Sequence, residues 1–112
     1  MQKHTRTLGA LLQDAGTHGK DENDIAIYPT DLGFGIALRQ NGYHFPDISR
    51  DDEVLLHNGN PKHYFEVRVV SQLCLKTLIL LVEHFFFPWH AEYDAEKVYL
   101  GWDGPILVVQ CL

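Results

Sequence analysis

The apolar run from Leu73 to Phe87, reading LCLKTLILLVEHFFF and closed by Pro88, constrains the fold more than any other part of the chain. Lys76, Glu83 and His84 interrupt it, and it is shorter than the ~20 apolar residues that a membrane-spanning helix needs. The spacing predicts a core helix over Ser71 to Phe87 instead, ended by the proline. Gln72, Lys76 and Glu83 recur at intervals of four and seven and mark one narrow polar stripe. A helix apolar around the rest of its circumference must be covered on nearly all sides. One small sheet covers a single side, so a second subunit or a partner is the expected cover for another.

Around that helix the pattern is mostly β. Ile25 to Tyr28 is β-branched and aromatic and is expected to stop at Pro29 and the turn-like TDLG. Phe34 to Arg39 and Tyr43 to Phe45 flank Asn41-Gly42, which predicts a hairpin because both turn residues tolerate positive φ. Val54 to His57 and His63 to Val70 flank Asn58-Gly59-Asn60-Pro61, and Phe65, Val67 and Val69 alternate with Glu66 and Arg68. That period of two predicts a second hairpin. Lys97 to Trp102 and Ile106 to Leu112 flank Asp103-Gly104 and predict a third. At the N-terminal end, Leu8, Leu11, Leu12 and Ala15 stand at i, i+3, i+4 and i+7 before Gly16, the pattern of a short helix over Thr5 to Ala15. The polar stretch Gly16 to Asp24 reads as a loop, and Asp47 to Glu53 as a second acidic loop or a single helical turn. The expected fold is α+β: a mostly antiparallel sheet of hairpins, one long hydrophobic helix packed across it and a short N-terminal helix, in a single domain over residues 1–112.

Composition narrows the function classes. With 46% apolar and 21% charged residues the chain has the makeup of a folded protein. The start, MQKHTRTLGALLQDAG, lacks the uninterrupted apolar stretch of a secretory signal, so a cytoplasmic location is expected. Cys74 and Cys111 have no CxxC partner and read as two buried free thiols. The net charge of −6 and the lack of any Lys/Arg cluster disfavour direct nucleic-acid binding, which rests on cationic contacts to phosphate.

No motif carries recognisable chemistry. Seven histidines are present, the best grouping being His84, His90 and Asp94, with His57 and His63 around the Asn-Gly turn, but none has a ligand spacing such as HExxH. Ser49 and Ser71 stand in no GxSxG context. Gly33-Phe34-Gly35 belongs to no phosphate-binding loop. Neither a metal nor another cofactor is therefore expected, and no catalytic residue can be assigned.

The acidic residues, in contrast, are clustered: Asp21, Glu22 and Asp24; Asp47, Asp51, Asp52 and Glu53; Glu92, Asp94 and Glu96. All fall in expected connections. If those connections gather at one end of the sheet they form an acidic field that steers a basic partner. With the aromatics Trp89 and Tyr93, which suit contact anchors, the candidate partner-binding residues are Asp47, Asp51, Asp52, Glu53, Trp89, Glu92, Tyr93, Asp94 and Glu96. The expected function is a small acidic protein-binding module, of the kind that inhibits or neutralises a basic nucleic-acid-handling protein as an immunity protein or antitoxin does. The alternative is a small homodimeric enzyme or ligand-binding protein with an aromatic- and His-lined pocket. A homodimer is expected in either case, through the Ser71 to Phe87 helix or through the uncharged C-terminal strand PILVVQCL acting as a sheet edge. Elemental analysis of chelator-free protein should find no stoichiometric transition metal; one zinc per chain would contradict the spacing argument.

Overall fold

The computed structural model describes residues 3–17, 19, 21–39, 53–55, 63–88 and 94–111. These form β1 (Lys3–Thr7), α1 (Leu8–Thr17), β2 (Ile25–Thr30), β3 (Gly33–Leu38), β4 (Glu53–Leu55), β5 (Tyr64–Arg68), β6 (Leu73–Cys74), α2 (Leu75–Phe86), β7 (Val98–Asp103) and β8 (Ile106–Cys111), with a single 3₁₀ turn over Ala95–Lys97. The architecture is α+β, with the strands in two antiparallel sheets. The larger has the order β1-β7-β8-β5-β4 and the smaller β3-β2-β6. Among the described residues no helix is long and apolar enough to cross a membrane.

Alternation along the strands decides which face of the larger sheet is buried. Phe65 and Val67 on β5, Leu107 and Val109 on β8, and Val98, Leu100 and Trp102 on β7 all point into one core. Leu8, Leu11 and Ala15 of α1, Ile25 and Ile27 of β2, and Leu75, Leu78, Val82 and Phe86 of α2 complete it. Each fully buried Val, Leu, Ile or Phe among these contributes roughly 1.5–3 kcal/mol. Aromatic packing draws the pieces together: the Phe65 ring lies 4.9 Å from that of Phe85 and 5.3 Å from that of Phe86, and Phe34 of the smaller sheet lies 5.7 Å from Trp102 of the larger.

The β4–β5 and β7–β8 hairpins match the sequence reading, with registers such as Val54↔Val67 and Leu100↔Val109. The turn of the β7–β8 hairpin is Gly104-Pro105, one residue later than the Asp-Gly rule places it, since Asp103 pairs with Ile106. Gly104 has φ +59. Positive φ at the first central position, followed by the fixed negative φ of proline, is the pattern of a type II′ turn.

Other expectations are corrected. Thr5 to Thr7 are strand rather than helix: β1 pairs with β7, and Thr7 then caps α1 through its hydroxyl, which accepts the Ala10 N–H at 3.1 Å. Pro29 does not stop β2. The smaller sheet's β6 pairs only with Ala26 and Ile27, so no neighbour on that side requires a donor from residue 29, and the strand runs on to the Asp31-Leu32 turn. The observed hairpin partner of β3 is therefore β2; the expected Asn41-Gly42 hairpin lies outside the described residues. The long helix begins at Leu75, because Leu73 and Cys74 are taken up by β6. Glu53 opens β4 instead of closing a loop. The C-terminal strand is no sheet edge: β8 lies between β7 and β5 with both sides paired. Finally, the second sheet supplies the cover for α2 that a single sheet lacks, leaving Leu80 and Phe87 as its large exposed apolar residues.

Several acidic residues hold this arrangement in place. The Glu22 carbonyl accepts the Lys76 N–H at 3.0 Å, satisfying an amide of the first turn of α2 that has no partner within the helix. The Asp24 carboxylate lies 2.9 Å from Arg39 Nε and the Asp24 carbonyl accepts the Arg39 N–H at 2.8 Å, which ties the loop before β2 to the end of β3. At the start of α1, the Glu96 carboxylate accepts the Thr7 hydroxyl at 3.3 Å and stands where a Cβ on Gly9 would collide with it. A carboxylate is favoured there by the helix dipole. Gly9→Ala should therefore yield little of the up to ~1 kcal/mol that alanine gains over glycine in a helix, because it displaces Glu96. In a Glu96→Ala background the same substitution should be stabilising, as read from urea midpoints.

Candidate partner-binding surface

Residues directly paired across antiparallel strands share a face, so the registers define the outer face of the larger sheet row by row. One row runs Asp103, Ile106, Arg68; the next runs Gly101, Val108, Glu66; the third runs Tyr99, Gln110, Tyr64. Arg68 and Asp103 are exposed, Tyr64, Glu66, Tyr99, Ile106 and Gln110 half-buried, and Val108 and Gly101 buried. The face is thus polar and aromatic at the Tyr99–Tyr64 end and charged at the other.

Asp94 and Glu96 are both exposed and precede Val98, which pairs with Cys111 just beyond the Tyr99 row. Each side chain accepts a hydrogen bond from within the chain, Asp94 from the local backbone and Glu96 from the Thr7 hydroxyl. Asp94 accepts the Glu96 N–H at 2.9 Å through its carboxylate and the Lys97 N–H at 2.8 Å through its carbonyl, capping the 3₁₀ turn. Glu96 is held against α1 as described above. Two fixed carboxylates and two tyrosines therefore occupy the same end of the sheet.

Glu53 does not join them. Its backbone pairs with Arg68 from β4, the far strand of the order, about 13 Å away along the strand direction and about 14 Å across it by ordinary strand spacings. Asp47, Asp51, Asp52, Trp89, Glu92 and Tyr93 lie outside the described residues. Of the first acidic cluster, Asp21 accepts the Asn23 N–H at 2.9 Å, Glu22 lies 3.9 Å from Lys76, and Asp24 is paired with Arg39. These carboxylates act first as local staples.

Tyr64 was not singled out by its sequence surroundings, although its alternation with Phe65 places it on the outer face. Its hydroxyl donates to the Glu66 carboxylate at 2.7 Å. Burial, then this bond and the charge of Glu66, with Asp103 adding a smaller contribution, push its pKa up to about 12.

The remaining candidates for chemistry stand apart. Cys74 and Cys111 are free and buried, as their surroundings in the sequence suggest, and burial pushes the Cys111 thiol up. The Cys74 Sγ lies 3.5 Å from the Glu22 carbonyl oxygen. His84 is exposed near the end of α2 with its ring edge-on to Phe85 at 4.9 Å, while Asp94 is occupied as a cap, and His57 and His90 lie outside the described residues. Among the described residues no three His, Cys, Asp or Glu side chains converge as a metal site would require. The indole N–H of Trp102 is buried and has no hydrogen-bond partner among the described residues.

Comparison with protein-family models, with characterised proteins and with solved structures finds no match for this chain, so its functional reading rests on its own residues.

The raised pKa of Tyr64 has a definite sign. A neutral phenol is favoured in the fold, so its contribution to stability is complete below the ordinary value of 10.0 and is lost as pH rises toward 12. An alkaline absorbance titration of wild type minus Tyr64→Phe should show one phenol ionising near pH 12, and Glu66→Gln should bring that transition down.

Proposed function

We propose that this chain is a small acidic protein-binding module that engages a basic protein, in the manner of an inhibitor or neutralising partner of a nucleic-acid-handling protein. The observation that carries this reading is the pair of exposed, locally fixed carboxylates, Asp94 and Glu96, at the sheet end that also bears Tyr99 and Tyr64. Side chains ordered before binding lose less entropy when a partner docks. Tyrosines offer large contact area with a polar tip, the combination common at binding hot spots. The net charge of −6 adds a long-range attraction for a basic partner, raising the rate of encounter. The net charge supplies the steering field, and the Asp94–Tyr99 end supplies the docking contact.

Affinity capture from the native host's lysate at low and moderate salt tests this. A basic protein should be retained at low salt and released as salt screens the attraction. The double variant Asp94→Asn, Glu96→Gln keeps the local hydrogen-bond acceptors while removing two charges. It should retain the same partner several-fold less well, whereas equal retention would place the contact elsewhere.

A further inference from the structure

Leu80 is 49% exposed and Phe87 46% exposed, on a helix whose other large apolar residues are covered by the chain itself. Phe87 follows the last helical residue but keeps helical dihedrals, φ −55 and ψ −39, so it stays on the same screw. At about 100° per residue, Lys76, Leu80, Glu83, His84 and Phe87 fall within an arc of about 100°. This solvent-facing stripe has Leu80 at its middle, a cation one turn before it and an anion almost one turn after it.

We propose that the stripe is the contact between two copies of this chain, with the two α2 helices packed antiparallel about a two-fold axis near Leu80. Such an axis makes the contact isologous, so the patch must be complementary to itself. In this arrangement the two Leu80 side chains meet at the axis. Each Lys76 faces the Glu83–His84 segment of the second copy, because these positions lie nearly equidistant on either side of Leu80. Both ends of the crossing then carry one ammonium and one carboxylate from different copies, and Phe87 closes the contact outside each pair. A parallel crossing would set Lys76 against Lys76 and Glu83 against Glu83. The antiparallel symmetry of these charges about the apolar centre is what favours a second copy over an unrelated partner. Lys76 also lies 3.9 Å from Glu22, and its side chain remains 41% exposed, so its ammonium can face outward. The contact uses none of the residues assigned above to the basic partner, so either proposal can fail without the other.

A single helix crossing buries less than the ~800 Å² per partner of a standard interface, so the dimer is expected to be weak, with a dissociation constant of roughly 10–500 μM. Sedimentation equilibrium of the full chain from about 5 μM to about 1 mM, spanning that range, should show reversible association above the monomer mass of 12.8 kDa. Leu80→Lys should raise the dissociation constant about tenfold or more, as placing two ammonium groups at the axis requires. Lys76→Glu and Glu83→Lys, taken singly, should each weaken association about threefold or more, and the double exchange should restore it. Circular dichroism identifies variants that remain folded. If Leu80→Lys does not fold, the charge exchange, which touches only half-buried polar positions, decides alone. A wild-type monomer throughout the range would overturn the proposal. So would a dimer indifferent to folded Leu80→Lys, or a charge exchange without rescue.

Discussion

The fold depends on the burial of α2. At about 100° per residue, the buried Leu75, Leu78, Ile79, Val82 and Phe86 with the half-buried Leu81 and Phe85 span an arc of about 160°, wider than one sheet covers. Leaving a buried Leu, Ile, Val or Phe in water would forfeit roughly 1.5–3 kcal/mol. Two sheets meet this demand. The link between them and the helix is very short: Leu73 and Cys74 pair with Ile27 and Ala26, and the helix begins at the next residue. Because strand and helix follow without a loop, the start of α2 is fixed relative to β2. The Glu22 carbonyl then supplies the acceptor that Cys74 at the N-cap does not, since its side chain makes no capping bond.

Charge in this protein has more than one use. Its acidic balance suggests a field directed at a partner, yet Asp21, Glu22, Asp24, Asp94 and Glu96 all make contacts within the chain. Such exposed contacts are individually weak. Their value lies in position, since each closes a turn, a helix start or a loop that hydrophobic burial does not specify. Asp94 and Glu96 are at once structural and presented to solvent.

The β4–β5 and β7–β8 hairpins were legible, the first from Phe65, Val67 and Val69 alternating against Glu66 and Arg68. Local signals failed where long-range pairing overrode them. Thr5 to Thr7 continue into a helical pattern, and only pairing with residues near Leu100, which is distant in sequence, makes them a strand. Pro29 reads as a strand end, and its tolerance depends on how far β6 reaches along β2. The central place of β8 is likewise a property of the sheet order rather than of the apolar run PILVVQCL. For the candidate surface, Asp94 and Glu96 were visible as part of an acidic cluster, but their neighbourhood with Tyr64 and Tyr99 required the strand registers. Glu53 shows the converse, since its acidic neighbours in sequence say nothing of the opposite sheet end on which it lies.

The sheet order sets a schedule for synthesis. β1 pairs with β7, and the carboxylate that rests on the first turn of α1 belongs to Glu96, so β1 and α1 must wait for residues synthesised long after them. Until residues 98–103 emerge, β1 has unpaired backbone donors and acceptors and α1 has an apolar face without its sheet. Pairings so distant along the chain form slowly and expose strand edges meanwhile. While the residues between them are being synthesised, β1 and α1 therefore stay open to holdase chaperones, and they close only when β7 arrives.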